Sequence, residues 1–458
     1  MNIDQTRIQH MNRKEIQPGN YVLYWMQQSQ RAEYNHALEY AVLQANELKL
    51  PVLTVFGLSD QYPDANLRHY TFMTEGLRET REELARQGIR MIIRRAEPDK
   101  AALEAGKNAS LIVCDRGYLR HQKHWRQNVA QKAGCRVVQV ESDVLVPVET
   151  VSSKAEYAAR TIRPKIRRHL DIYLSGFRRT MPDIYSTETD WGIPDIGDSD
   201  DWLRDLNIDR TVLPVSRFYK GGTSHAEALF EKFLTQKLSS YHIHHNRPEK
   251  GDVSCMSPYL HFGQISPLWL ALRIKTLENK YPEAVSAWLE QIIVRRELAV
   301  NFVYYTDNYD RYDCLPAWAR TTLDEHRDDP REYLYTAEEL EKAQTHDEYW
   351  NAAMSEMIHT GYMHNHMRMY WGKKVLEWSR TPEQAFENLL HLNNRYFLDG
   401  RDPNSYAGIG WIFGLHDRAW KQRSVFGKIR CMTASGLERK CGISEYVRKI
   451  RIFYGEKK

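Results

Sequence analysis

The sequence predicts a protein in two parts, a doubly wound α/β domain built on a parallel sheet and an all-α domain after it. Three observations carry that expectation. Five short apolar runs recur between residues 21 and 140 with helical patterns between them, the periodicity beyond His225 is helical nearly to the end, and 458 residues exceed one ordinary core. We place the α/β domain at 20–150, a long interdomain connection at 151–224 and the all-helical domain at 225–458.

Taken in order, the strand candidates are YVLYW (21–25), PVLTVFGLS (51–59), RMIIRR (90–95), SLIVCD (110–115) and CRVVQV (135–140). Each is short and nearly continuously apolar, the pattern of a parallel strand covered on both faces. The segment RHYTFMTEGLRETREELARQG (68–88) is the plainest of the helical patterns between them. Such a sheet offers a ligand crevice at the carboxyl ends of its strands. Neither GxGxxG nor GxxxxGK[ST] occurs, so neither common nucleotide loop is expected. Residues 150–222 are rich in Pro, Asp, Ser and Gly, and they read as a connection running over the surface with short helices. Helical periodicity then marks residues 226–241, 266–280, 284–305, 352–363, 366–379 and 382–392.

Chemistry concentrates in the helical part. In RMYWGKKVLEW (368–378), Trp371, Val375 and Trp378 share a helical face with Met367, which is first of all a packing stripe. The chain holds 12 Trp and 27 Tyr, enough aromatics to suggest a stacking or redox surface as well. Trp371 and Trp378 stand about 10 Å apart along a helix axis, so direct contact between them needs a third indole such as Trp350. The stretch NNRYFLDGRDPNSYAGIGW (393–411) reads as a long, turn-rich connection between helices, and its Asp399, Arg401, Asp402 and Asn404 offer more polar groups than a loop needs. In DVSCMSPYLHFGQIS, Ser254 and Ser257 precede a helix and suit either a phosphate site or, more commonly, N-capping.

Several classes are excluded by what is missing. No apolar run approaches a membrane span, and the polar amino terminus lacks a signal-type apolar core, so a cytoplasmic protein is expected, nuclear if its source has a nucleus. The six cysteines show no CxxC, and HIHH (242–245) and HNH (364–366) lack metal-site spacing, so no metal is expected. No GxSxG is present, which leaves hydrolase readings without support. The net charge of +4 says little, but RTIRPKIRRH (160–169) and RAWKQRSVFGKIR (418–430) interleave cations with apolar and aromatic residues, as a nucleic-acid surface or a solvated basic face would.

In order along the chain, YWMQQSQRAEYNHAL, EYAARTIRPKI, MSPYLHFGQIS, VRRELAVNF, THDEYWNAAMSEMIHTGYMHNHMRMYWGKKVLEW, LNNRYFLDGRDPNSYAGIGW, HDRAW and FGKIR form a series. This series resembles the class II cyclobutane pyrimidine dimer photolyases of the photolyase/cryptochrome family over nearly the whole length. The resemblance implies an amino-terminal antenna-type α/β domain and a carboxyl-terminal helical domain that binds reduced FAD. The implied activity is a light-driven lyase, monomeric and soluble, that flips a dimer from double-stranded DNA and splits it by electron transfer. A second, antenna chromophore of deazaflavin or folate type is left open.

Position by position, the resemblance assigns Tyr241, Ser254 and Ser257 to the flavin phosphates or ribityl chain. It assigns Arg368 and Asp399 to an ion pair beside the isoalloxazine, Asn393 to its N5, and Gly400, Arg401, Asp402 and Asn404 to the same wall. Trp371, Trp350 and Trp378 match the indole chain that re-reduces the flavin from the surface. Met369, Trp411, Trp420, Arg418 and Arg430 match the lesion pocket and its DNA-contacting rim, together with Gln291 and His245. Four positions depart from the family. Gln291 replaces a glutamate facing the lesion, Val300 an aspartate, His245 the arginine expected to help fill the gap left by the dimer, and Phe397 a glutamate. Glutamine still donates and accepts, so binding with slower splitting is expected. A flavin photoreceptor of cryptochrome type is the alternative that Gln291, His245 and Val300 motivate.

Overall fold

The computed structural model describes residues 3–176, 178–197 and 201–454, arranged as two compact units. The first comprises Met1–Ser153, Lys165–Phe230 and Met256–Thr276, and the second Lys154–Pro164, Glu231–Cys255 and Leu277–Lys458.

In the first unit six strands form one sheet: β1 (Ile8–His10), β2 (Tyr21–Trp25), β3 (Val52–Gly57), β4 (Arg90–Arg94), β5 (Ala109–Asp115) and β6 (Arg136–Val140). Their order is β1-β6-β5-β2-β3-β4, parallel throughout except for β1, which runs antiparallel along the β6 edge. Every residue of β2, β3 and β5 is buried because both sheet faces are covered. Tyr24 and Val22 enter one core, while Tyr21, Leu23 and Trp25 enter the other. The strand order reverses between β2 and β5, where a doubly wound sheet opens. There Asp115 accepts the main-chain N–H groups of Gln27, Gln28 and Ser29 at 3.0, 2.9 and 3.0 Å, tying the loop after β2 to the end of β5.

The connection does not simply run over the surface. Trp202 and Leu206 are buried in the core with Val22 and Tyr24. Ser186 is fully buried, donating to the Val52 carbonyl and accepting from the Arg90 N–H at 2.6 and 2.7 Å, and Trp191 packs edge-on against Tyr21. Pro- and Asp-rich composition marks irregular backbone, and it says nothing about isolated tryptophans that use such backbone to reach a core. Residues 177 and 198–200 of this connection lie outside the described residues.

The second unit is helical. Its principal helices are Glu348–Thr360, Asn365–Trp378, Pro382–Tyr396 and Pro403–Ile412, preceded by Pro282–Leu289 and Arg296–Tyr305 and followed by Ala434–Lys440 and Ile443–Tyr454. Asp347 caps the first by accepting from the N–H groups of Tyr349 and Trp350, and Gly361 ends it at φ 71°, a left-handed position suited to glycine. Between Leu289 and Arg296 the helix widens into a π turn, Glu290–Arg295. The expected long turn at 393–411 is mostly helix: Asn393 lies in Pro382–Tyr396, and Asp402 caps Pro403–Ile412 by accepting from Asn404 N–H. Only residues 397–402 turn. The serine caps are corrected too, because the cap of Ser257–His261 is Met256 and neither Ser254 nor Ser257 holds that position.

Candidate functional site

The ends of three helices converge on a buried polar group. Arg368 donates through Nη2 to both carboxylate oxygens of Asp399, at 3.0 and 3.1 Å, and through Nε to the Met363 carbonyl. Asn393, Asp399, Arg401 and Asp402 are each at most 7 % exposed, far more burial than residues of these types receive without partners. Asn393 donates to the Asn394 amide oxygen, which also accepts the Arg401 N–H, and Ser405 donates to the Asp399 carbonyl. Arg401 adopts φ 68°, a left-handed setting uncommon for any residue other than glycine. Gly400 allows close packing of this turn, since a Cβ there would lie 2.8 Å from the Asn393 carbonyl oxygen. Nearby charge is shifted as well: burial pushes the Glu356 carboxyl up to about 7 despite the hydroxyl it accepts from Tyr446.

From this group a column of rings runs through the helical unit. The Arg368 guanidinium lies 3.8 Å from the Phe397 centroid, and Phe397 meets Trp371 edge-on at 6.3 Å. Trp371 stacks on Trp350 at 6.5 Å with planes 15° apart, and Trp350 meets Trp378 at 5.8 Å. Trp350 also donates Nε1–H to the Trp371 carbonyl at 3.0 Å, which fixes its orientation. All three indoles are at most 2 % exposed. Trp378 is therefore not itself a surface residue. Tyr335 and His346 pack against it at 5.3 and 5.2 Å.

A second constellation combines cations with indoles. The Arg430 guanidinium lies over Trp420 at 4.2 Å and over Trp411 at 5.2 Å, and Arg418 lies over Trp420 at 5.0 Å. Lys373 approaches Trp411 at 5.1 Å while donating to the Ile412 carbonyl. This lysine is fully buried, and burial lowers its ammonium pKa to about 7 against the opposing pull of Asp417. Sequence reasoning missed Lys373 and Asp417, since KK in an amphipathic helix reads as solvated charge and a lone Asp before Arg reads as a turn.

The remaining candidates are placed as follows. Gln291 is exposed on the π turn, and Glu290 beside it pairs with Arg163 at 2.6 Å. Val300 is buried, and Met369 is half-buried next to Arg368. His245 Nδ1 bonds to the Tyr241 carbonyl at 2.9 Å, its ring 5.2 Å from the Tyr241 ring. Ser254 accepts from Trp288 Nε1 at 3.3 Å. Ser257 is exposed at the start of its short helix in the first unit. Among the described residues no group of His, Cys, Asp and Glu is arranged to hold a metal ion, and no helix is long and apolar enough to cross a membrane.

The DNA photolyase family model matches residues 22–183. The chain is 49% identical over 450 residues to the deoxyribodipyrimidine photo-lyase of Methanothermobacter thermautotrophicus, covering 98% of this chain and 99% of that one. It is 38% identical to the enzyme of the same name from Potorous tridactylus, covering 93% and 81%. Its fold is similar to a class III photolyase from Agrobacterium tumefaciens (TM-score 0.69, 17% identity, 94% and 86% covered). It is also similar to a cryptochrome from Synechocystis sp. PCC6803 (TM-score 0.72, 16% identity, 97% and 92% covered).

Proposed function

The chain belongs to the deoxyribodipyrimidine photo-lyase family, and on that premise we propose that it is a class II enzyme that repairs cyclobutane pyrimidine dimers in double-stranded DNA under light. The observation that supports this most is the unbroken column from the buried Arg368–Asp399 pair through Phe397 to Trp371, Trp350 and Trp378.

The residues around that pair fit FAD. Their set of guanidinium and amide donors with a carboxylate acceptor suits a polar heterocycle, and the buried Trp371 Nε1 and His364 Nε2 have no hydrogen-bond partner among the described residues. A Cβ on Gly408 would meet nothing within 4 Å, so that helix face, shared with Asn404 and Trp411, borders open space. Arg368, Asn393, Asp399, Gly400, Arg401, Asp402 and Asn404 would hold the ring system, with Tyr241 and Ser254 toward the phosphates. When bound and fully reduced, FAD supplies the light-excited electron that opens the dimer. The chain's own residues do the rest. Arg368 and Asp399 fix charge beside the ring, and the three indoles relay an electron inward. Trp411 and Trp420 offer faces to unpaired bases, Arg418 and Arg430 suit phosphates, and Gln291, His245 and Met369 would complete the lesion surface.

The test is an absorption spectrum of the purified protein together with dark binding to duplexes with and without one dimer. Flavin absorption and preference for the damaged duplex are expected. A colourless protein, or one indifferent to the dimer, would sink the reading.

A further inference from the structure

The carboxylate of Asp417 is the hub of the cation and indole constellation. It accepts Arg430 Nε and Nη2 at 3.1 and 3.4 Å, Trp420 Nε1 at 3.2 Å and the Arg418 main-chain N–H at 2.9 Å. Its side chain is 10% exposed and that of Arg430 38%. One buried anion thus holds a flat cation over the faces of two indoles, Trp420 at 4.2 Å and Trp411 at 5.2 Å. A base cannot stack on a face that a guanidinium already covers.

We propose that Asp417 is a specificity-determining latch, which keeps Arg430 on the indoles until an extruded base displaces it. The proposal rests on the reading that this surface takes up damaged DNA. Arg430 leaves the Asp417 carboxylate for a backbone phosphate, an anion of matching bidentate geometry, so the exchange costs little once something else fills the indole faces. Damaged duplex offers both the phosphate and a loosely stacked base. Undamaged duplex offers only the phosphate and leaves the latch shut.

Four proteins test this in the dark: wild type, D417N, R430Q and the double variant, each with its bound cofactor and each titrated with dimer-containing and undamaged duplex at several salt concentrations. D417N is expected to bind undamaged duplex about tenfold more tightly, with a salt slope steeper by about one phosphate contact. Its gain on dimer duplex is expected to be smaller, so preference for damage falls. In the R430Q background the D417N substitution should change neither quantity. An Asp417 effect that persists without Arg430, or that raises both affinities equally, would reduce the residue to one lost negative charge and overturn the latch. Loss of both affinities would do the same by making Asp417 purely structural. A wild type without preference for the dimer would instead overturn the functional reading itself.

Discussion

Arg368 and Asp399 share a site in which neither is solvated enough to stand alone, with side-chain exposures of 19% and 10%. Replacing Arg368 by Met strands the carboxylate, at a cost of about 3–5 kcal/mol for breaking such a pair. Urea denaturation should register that loss, and the purified variant should retain less flavin. Trp371 makes a different prediction because the proposed function gives it an electronic role beside the packing its ring contacts show. Its substitution by Phe should stop light-driven reduction of oxidised flavin, followed by absorbance, while repair with chemically pre-reduced enzyme persists. Unchanged photoreduction would remove Trp371 from the path. Lys373 predicts a pH effect whose sign follows from its lowered pKa. Below about pH 7 both folded and unfolded chains carry the proton, and the buried charge destabilises in full. Between there and the ordinary lysine pKa only the unfolded chain keeps it, so stability rises with pH. K373M should therefore gain most over wild type in acid, with the advantage shrinking by about pH 10, and chemical denaturation across that range checks it. These residues differ in how visible they were. Arg368 and Asp399 sit in long family-like runs, whereas the importance of Lys373 comes from burial, which no local pattern of charge displays.

Helices Asn365–Trp378 and Pro403–Ile412 meet where Gly372 faces Ile412. A Cβ on Gly372 would lie 2.0 Å from Ile412 Cδ1, and Ile412 is 1% exposed with nowhere to retreat. G372A should cost about 1–3 kcal/mol by overpacking, read as a lowered Tm. Gly408, with open space beside it, gives the opposite expectation. G408A should stabilise the ligand-free chain by about 0.4–1 kcal/mol while weakening retention of whatever fills that space, measured by cofactor release. Element by element, the pattern was legible where burial is regular. Five strands of the sheet follow from their apolar runs, but β1, only three residues long, is too short to show a period. The helix Pro403–Ile412 was hidden because DG and DPN are turn signals, although Asp at the cap and Pro in the first turn also open a helix. The π turn at Glu290–Arg295 has no sequence signature at all, and it carries Gln291.

At the scale of the whole molecule, the alternation of strands and helices in the first unit and the helical period of the second were enough to anticipate the architecture. The tertiary partners that decide the connection were not, since Trp202 and Ser186 are buried by residues far from them in sequence. The site was more legible: the spacing of Trp371 and Trp378 already called for a third indole such as Trp350, and the fold puts it in contact with both. In the proposed function this column and the cationic indole surface serve light-driven reversal of DNA damage. The most direct test incubates the flavin-reduced protein with a duplex bearing one cyclobutane dimer, in darkness and under blue light, and follows return of the intact pyrimidines by their absorbance. Restoration only in the light is the predicted result. A protein that binds flavin and damaged duplex yet leaves the dimer intact after illumination would contradict it.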